Sequence, residues 1–407
     1  MIRLQRPLPD RYTAAAPEHL AEWIGAAKAT LGSRLLVLGH HYQRDDVVRW
    51  ADARGDSFAL SRIAAERSDA EYVVFCGVHF MAESADVLTD PHQRVLLPDL
   101  NAGCSMADMA DIDQVEEAWE ELATVTDVER VLPITYVNSS AALKAFVGRH
   151  GGAVCTSSNA RAVLSWALGP RPPAVPESVA AGAAGAAEAG GNGGSGGSAT
   201  GGAGRDGGDG ASAADKVLFV PDQHLGRNTA FQLGFGTGDM AVWDPHLRLG
   251  GLTDVAVKSA TLLLWKGHCS VHQRFRPAHV AAFRAEHPGG IVIVHPECSH
   301  EVVESADQVG STDAIIRAVR AAPAGSVLGV GTEIHLVRRL ADEAQDKTVV
   351  CLDPLVCPCS TMSRIDPMHL AWVLEGIVEG EVRNQITVDA DTARWARVAL
   401  ERMLAIT

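Results

Sequence analysis

No apolar run in this chain reaches the length a bilayer-spanning helix needs, and Met1–Arg11 lacks the apolar core of a secretory signal. Nothing there directs export, so a cytoplasmic setting is expected. Cysteine is sparse, with eight in 407 residues. That is too few for a disulfide scaffold, and clustered cysteines in a reducing compartment more often bind metal or do redox chemistry. Positive charge is in deficit as well: 35 Lys and Arg face 50 Asp and Glu, a formal charge of −15 that repels phosphate backbones. Nucleic acid is therefore not an expected partner, nor is a membrane. Aromatic residues are 5% of the chain, and there are four tyrosines, Tyr12, Tyr42, Tyr72 and Tyr136.

What the chain does have is length for two or three domains and a steady alternation of short apolar runs with Ala-rich helical stretches. Runs such as LLVLG, YVVFCG, VLPITYV, KVLFVPD, GIVIVHPE and SVLGVGTE read as buried strands, and segments such as Asp56–Ser68 and Thr312–Ala322 as helices. This pattern predicts βαβ units with parallel sheets, whose ligands bind beyond the carboxyl ends of the strands. From His369 onward a helix, a short strand at Gln385–Val388 and a final helix at Thr392–Leu404 are expected to pack back on the first unit. Residues 170–214 break the pattern: Ala181–Gly210 holds 14 glycines in 30 residues. With almost no large apolar side chain to offset ordering entropy, this stretch is expected to be a flexible insertion within a unit.

A repeat organises the rest. Seventeen residues separate His40 from Ser57 and His295 from Thr312; 47 separate Ser57 from Cys104 and Thr312 from Cys359. A middle stretch keeps the order with more slack, from Val131–Val137 through Asn138 and Ser157 to Cys269. Fixed self-similarity predicts repeated structural units with a common axis. Three units then offer the three thiolates of Cys104, Cys269 and Cys359 to one point, a suitable mount for an iron–sulfur cluster. The expected units are 1–107 with 369–407, 108–270 including the 170–214 insertion, and 271–368.

The motifs GHHYQ (Gly39–Gln43), GDS (Gly55–Ser57), GCSMAD (Gly103–Asp108), YVNSS (Tyr136–Ser140), CTSSNA (Cys155–Ala160), PDQHLG (Pro221–Gly226), WKGHCSVH (Trp265–His272), HPECSHEV (His295–Val302), GST (Gly310–Thr312) and CPCSTM (Cys357–Met362) together resemble the quinolinate synthase family. The resemblance implies an α/β fold of three similar αβα units with short parallel sheets about a pseudo-threefold axis. It implies one [4Fe-4S] cluster on Cys104, Cys269 and Cys359, with one iron lacking a protein ligand. The implied activity is condensation of iminosuccinate with dihydroxyacetone phosphate to quinolinate, in de novo NAD biosynthesis. His40, Ser57, Tyr136, Val137, Asn138, Ser157, His295, Pro296, Glu297 and Thr312 would then contact substrate. Functional partners would be the L-aspartate-oxidising enzyme that supplies iminosuccinate and the iron–sulfur assembly machinery. The glycine-rich insertion departs from the family pattern but falls between motifs.

Three ligands in place of the four common in electron-transfer clusters leave one iron as an open Lewis acid. Taken singly, Cys104 or Cys269 reads as a small buried core residue, and the repeat is what sets the pair apart. Cys359 fits the matched spacing and the Cys-x-x-Met pattern, with Cys357 as the alternative; Cys298 is a weaker candidate, and Cys76, Cys155 and Cys351 lie in apolar runs. Glu297 is the candidate general base, on the expectation that a dry pocket raises its pKa. A salt-bridge or helix-start role is the plainer alternative. His272 is either a second proton carrier or a hydrogen-bond partner of the cluster, and Tyr42 is expected to act at the triose end. Two competing functions remain open at this level: an iron–sulfur hydro-lyase acting on a hydroxy acid, and a non-enzymatic iron–sulfur redox sensor. Structural zinc usually takes closely spaced ligand pairs, which only Cys357 and Cys359 supply.

Overall fold

The computed structural model describes residues 5–169, 214–355 and 358–406; nearly all of the glycine-rich insertion, and Cys357, lie outside them. The apolar runs form three sheets. The first holds β1 (Leu35–His40), β2 (Ala53–Gly55), β3 (Tyr72–Cys76), β4 (Arg94–Leu96) and, from the far end of the chain, β14 (Gln385–Ile386). The second holds β5 (Val131–Tyr136), β6 (Ala153–Cys155), β7 (Lys216–Val220), β8 (Met240–Trp243) and β9 (Leu262–Trp265). The third holds β10 (Ile291–Val294), β11 (Gln308–Val309), β12 (Val327–Gly331) and β13 (Thr348–Cys351). Every pairing is parallel except that of β14 with β4. Continuous apolar sequence is what strands covered on both faces require, and β1, β3, β5 and β7 are buried at every residue.

One strand order recurs. The sheets run β14-β4-β3-β1-β2, β6-β5-β7-β9-β8 and β11-β10-β12-β13. In each, the first strand lies between its second and its third, so successive connections leave in opposite directions from β1, β5 and β10. That reversal opens a crevice at the carboxyl ends of these strands, the place where doubly wound sheets bind ligands.

The first and third units repeat down to single hydrogen bonds. The Asp52 carboxylate accepts from the Val37 amide (2.8 Å) while the Asp52 amide donates to the Val37 carbonyl; Asp307 does the same with Val292 (2.8 Å). Each helix after the second strand is capped by a side chain, Asp56 for Ser57–Glu66 and Ser311 for Thr312–Ala321. Gly55 and Gly310 let that helix approach closely: a Cβ there would come within 2.9 Å of the Ala59 methyl and 2.6 Å of the Ala314 methyl, respectively.

Apolar packing divides the molecule unequally. The first two sheets and the C-terminal helices share one continuous core, while Phe283, Val292, Ile315, Leu328 and Leu340 belong to a second core around the third sheet. Tyr42 packs against both. The chain's final helix, Ala390–Ala405, lies against the helix Ala141–Arg149 and strand β6, and Asn159 donates to the carbonyls of Met403 and Ile406. The C-terminal segment therefore joins the first sheet through β14 and covers the second unit with its helix. Among the described residues no helix is long and apolar enough to cross a membrane.

Candidate active site

The carboxyl ends of β1, β5 and β10 face a common cavity, and nearly all the side chains singled out in the sequence line it. His40, Tyr42 and Ser57 come from the first unit, Tyr136, Asn138 and Ser157 from the second, His295, Glu297 and Thr312 from the third; Cys104, Cys269, Cys359 and His272 complete the ring. Val137 and Pro296 do not line it. Val137 is buried in the core, and the Pro296 carbonyl accepts from Asn228. A second groove, lined by Phe58, Ser158, Asn159, Arg161, Ala162 and Ser165, adjoins the cavity, with the Ser158 hydroxyl donating to Asp56 of the cavity wall (2.8 Å), and holds no acid–base pair.

Each cysteine sits in the same turn. The carbonyls of Cys104, Cys269 and Cys359 accept from the amides four residues on, those of Asp108, Gln273 and Ser363, at 3.1, 3.0 and 2.9 Å. A one-turn 3₁₀ helix follows at the same offset each time: Ala107–Met109, His272–Arg274 and Met362–Arg364. Burial first, and then neighbouring negative charge including that of the other cysteines, pushes the Cys104 thiol up to about 12 and the Cys269 thiol well above its ordinary range. Two buried thiols that resist ionisation unless a cation is present, with the Cys359 thiol on the same cavity, are a suitable donor set for a metal centre. The one group of three donors within 4.8 Å of one another, among the described residues, is Cys269, His272 and Glu297. Cys298 lies in the core of the third unit with its thiol toward the Gly331 carbonyl, and Cys76 and Cys155 are core residues.

His40 and His295 are locked in the same tautomer. The Tyr42 amide donates to His40 Nδ1 (3.1 Å) and the Glu297 amide to His295 Nδ1 (3.3 Å), so each ring keeps its proton on Nε2. His295 Nε2 lies 3.2 Å from the Ser157 hydroxyl. Burial drives both imidazoles down to about 3, with neighbouring histidines adding to the effect, so they are neutral donors at ordinary pH. Tyr42 and Glu297, two residues past these histidines, occupy matching positions in the first and third units.

They are also connected. The Thr312 hydroxyl donates to Tyr42 Oη (3.0 Å), Tyr42 Oη is 2.7 Å from Thr332 Oγ1, Thr332 is 3.2 Å from His272 Nε2, and His272 Nδ1 is 2.6 Å from Glu297 Oε2. With Nδ1–H of His272 donating to the carboxylate, every hydroxyl in this chain points its proton toward Glu297. The sequence-based expectation of a raised Glu297 pKa is overturned. Burial alone would raise it, but the imidazoles of His272 and His295, with hydrogen bonds from His272 and Tyr136, hold the carboxyl below its ordinary range. Burial, reinforced by Glu297, moves the Tyr42 and Tyr136 hydroxyls well up, so both stay protonated.

Sequence reasoning missed Thr332, the middle of this chain, and Lys144. The Lys144 ammonium is wholly buried, donates to the Ser139 carbonyl and stands 5.4 Å from the Phe80 ring, bracing the turn that carries Asn138. Asn138 Oδ1 is buried on the cavity wall with no hydrogen-bond partner among the described residues.

The family described as quinolinate synthetase A protein matches residues 23–175 and 209–405 of this chain. Proteins called quinolinate synthase are similar over nearly its whole length: one from Herpetosiphon aurantiacus is 53% identical over 400 residues, covering 98% of this chain and 95% of its own. One from Corynebacterium glutamicum is 50% identical (99% and 91% covered), and one from Streptomyces coelicolor 52% identical (94% and 86%). A repeated cysteine turn and a cavity of neutral donors, in a chain this similar to these relatives, place it in the quinolinate synthetase A protein family.

Proposed function

We infer that this cavity condenses iminosuccinate with dihydroxyacetone phosphate to give quinolinate, phosphate and two waters, an enzymatic step of NAD biosynthesis. Atoms balance without an oxidant: the seven carbons and the nitrogen of the two substrates are those of the pyridine ring and its two carboxylates. The observation that carries this reading is the repeated cysteine turn opening on one donor-lined cavity. Cys104, Cys269 and Cys359 would hold a [4Fe-4S] cluster, and no fourth cysteine lines the described cavity to close its last iron. When bound, that group supplies a Lewis acid for hydroxyl departure.

The protein's own residues supply binding and proton movement. The Nε2–H groups of His40 and His295 and the hydroxyls of Ser57, Ser157, Tyr136 and Thr312 hold carboxylates and phosphate, with the Asn138 amide beside them. These donors are neutral, so they orient anions without a fixed ion pair that would resist product release. Glu297, ionised throughout the working range, takes the proton lost in forming the enamine and in each dehydration. His272 keeps that carboxylate aimed and passes protons on through Thr332. Tyr42 serves the triose end, where ketose–aldose isomerisation needs a proton carried between adjacent oxygens. Val78, Phe80, Met81, Val271 and Met362 form apolar walls that keep bulk water from these groups. The three units would stand about a pseudo-threefold axis, at 1–107 with 369–407, 108–270 and 271–368. Iminosuccinate would come from an L-aspartate-oxidising enzyme and the cluster from iron–sulfur assembly machinery, all in the cytoplasm.

The test is anaerobic. Purified protein should contain iron and sulfide in equal amounts, about four each per chain, and should form quinolinate from the two substrates. Iron without quinolinate, together with dehydration of a hydroxy acid, would overturn the reading.

A further inference from the structure

The helix Ile334–Glu343 of the third unit gathers three contacts toward the cavity. Thr332, just before it, meets Tyr42 and His272. Glu333 caps it, accepting from the His335 and Leu336 amides, while its other oxygen accepts from the Cys359 amide (3.2 Å). One turn further on, the Arg339 guanidinium reaches across to the first unit. It donates to the His41 carbonyl (2.9 Å), to the Gln43 carbonyl (2.6 Å) and to the Asp45 carboxylate (2.6 Å). The two carbonyls belong to the residues on either side of Tyr42.

The geometry points to Arg339 as a positioning residue that aims Tyr42 at the triose end of the substrate. Its planar fork spans two carbonyls that a lysine ammonium could not hold together in one orientation. Its side chain is 11% exposed, against 61% for Asp45, so the carbonyl contacts are the sheltered ones and the ion pair is the wet one. The need for such a clamp follows from the packing. The third unit has its own core, and Tyr42 is a side chain of the first unit lodged between the two cores. The His41 ring also meets the Asp313 carboxylate of the third unit (3.2 Å) and the Gln43 side-chain amide donates to the Met362 carbonyl (3.0 Å), but these are side-chain contacts; the backbone carbonyls beside Tyr42 are held to the third unit by Arg339, while the Tyr42 hydroxyl bonds Thr312 and Thr332 there. Arg339 ties that backbone to the same unit as those two hydroxyls. The inference rests on the reading of the cavity given above.

The experiment compares anaerobically prepared holoenzyme of the wild type with Arg339→Lys, Arg339→Gln, Asp45→Asn, Tyr42→Phe and the Arg339→Gln/Tyr42→Phe double variant. Turnover should fall roughly 10²-fold in both Arg339 variants, as for a misaimed reacting group, with iron content unchanged. Asp45→Asn, which keeps both carbonyl bonds, should stay near wild type. In the Tyr42→Phe background, Arg339→Gln should cost nothing further, because the group it aims is already gone. Hydrogen exchange of the backbone at residues 40–46 should speed up in Arg339→Lys and not in Asp45→Asn, a readout independent of turnover. An equal loss in both backgrounds, an Asp45→Asn loss as large as that of Arg339→Lys, unchanged exchange, or loss of soluble protein in both Arg339 variants would each overturn the positioning role. A wild type that forms no quinolinate would instead sink the functional reading and leave the exchange result to judge the clamp.

Discussion

His272 Nδ1 lies 2.6 Å from Glu297 Oε2, with both side chains almost wholly withdrawn from water. A carboxylate so placed is costly unless it is paired and hydrogen-bonded. Here two imidazoles and a tyrosine hydroxyl surround it and hold the carboxyl below its ordinary range, so the proposed base would be ionised and fixed in direction on the cavity wall.

Replacing Glu297 by Gln keeps the size of the side chain and most of its hydrogen bonding but leaves it unable to accept a proton. Turnover should fall by roughly 10²–10⁴, with iron content normal and binding of a pyridine dicarboxylate nearly retained. Near-normal turnover in steady-state assays would move the role to His272 or Tyr42.

Among the described residues, the hydroxyl of Thr332 links Tyr42 to His272 in the proposed proton chain. Thr332→Val preserves shape and removes that link, so turnover should drop roughly tenfold or more, an effect in the range of a single positioned proton-transfer group. Thr332→Ser should recover most of it. Equal rates for the Val and Ser variants would show that the chain does not conduct protons in turnover.

Thr332 also shows what the sequence made legible. It is the first residue past β12, and the rule that picked out His40 and His295, a polar side chain at a strand's carboxyl end, applies to it equally. It was hidden because a lone threonine ending an apolar run, in GVGTE, has no counterpart in the His–Ser/Thr–Cys repeat. The spacing of His40, Ser57 and Cys104 against His295, Thr312 and Cys359 was readable because parallel units of one strand order copy their turns at fixed offsets. The pKa of Glu297 was not: burial was foreseeable from its apolar flanks, but which imidazoles would face it depends on how three units meet.

Acid should weaken both fold and function, in separable windows. His40 and His295 are held down to about 3 from an ordinary 6.5, so between those values the unfolded chain binds more protons than the folded one. Stability contributed this way is present above pH 6.5 and lost as pH falls, with a slope of about 1.4 kcal/mol per pH unit for each such group. Glu297, held below its ordinary value, adds loss of the same sign in more acid solution. Urea midpoints at pH 7 and pH 5 should show the decline, and His40→Asn should reduce it. A midpoint independent of pH would contradict the burial of neutral imidazole. For catalysis, His272→Gln removes the larger of the two imidazole effects on Glu297, so the acid limb of kcat should move to higher pH.

Cys104→Ala, Cys269→Ala and Cys359→Ala should each lose iron and activity, because two thiolates retain a cluster poorly. Cys298→Ala and Cys76→Ala should keep both and lose only some stability, through small core cavities. Retention of full iron by Cys359→Ala would direct attention to Cys357.

Residues 170–213 offer the last test. The chain leaves the helix Ala160–Leu168 and re-enters at Ala214, whose amide donates to the carbonyl of Ala167 (3.2 Å) before β7 begins. The two ends of the insertion are thus already together, and the family match omits residues 176–208. Closing a short loop between adjacent ends costs little, and loop entropy changes only slowly with length. Replacing Pro173–Ala213 with a short Gly-Ser connector should therefore leave iron content and turnover within about twofold and the thermal midpoint unchanged or slightly raised. No residue of the proton chain and none of Cys104, Cys269 and Cys359 lies in the excised stretch. Loss of turnover with a full complement of iron would show that the insertion acts on the cavity from outside it, and would make its point of attachment beside Ala167 the place to look for how.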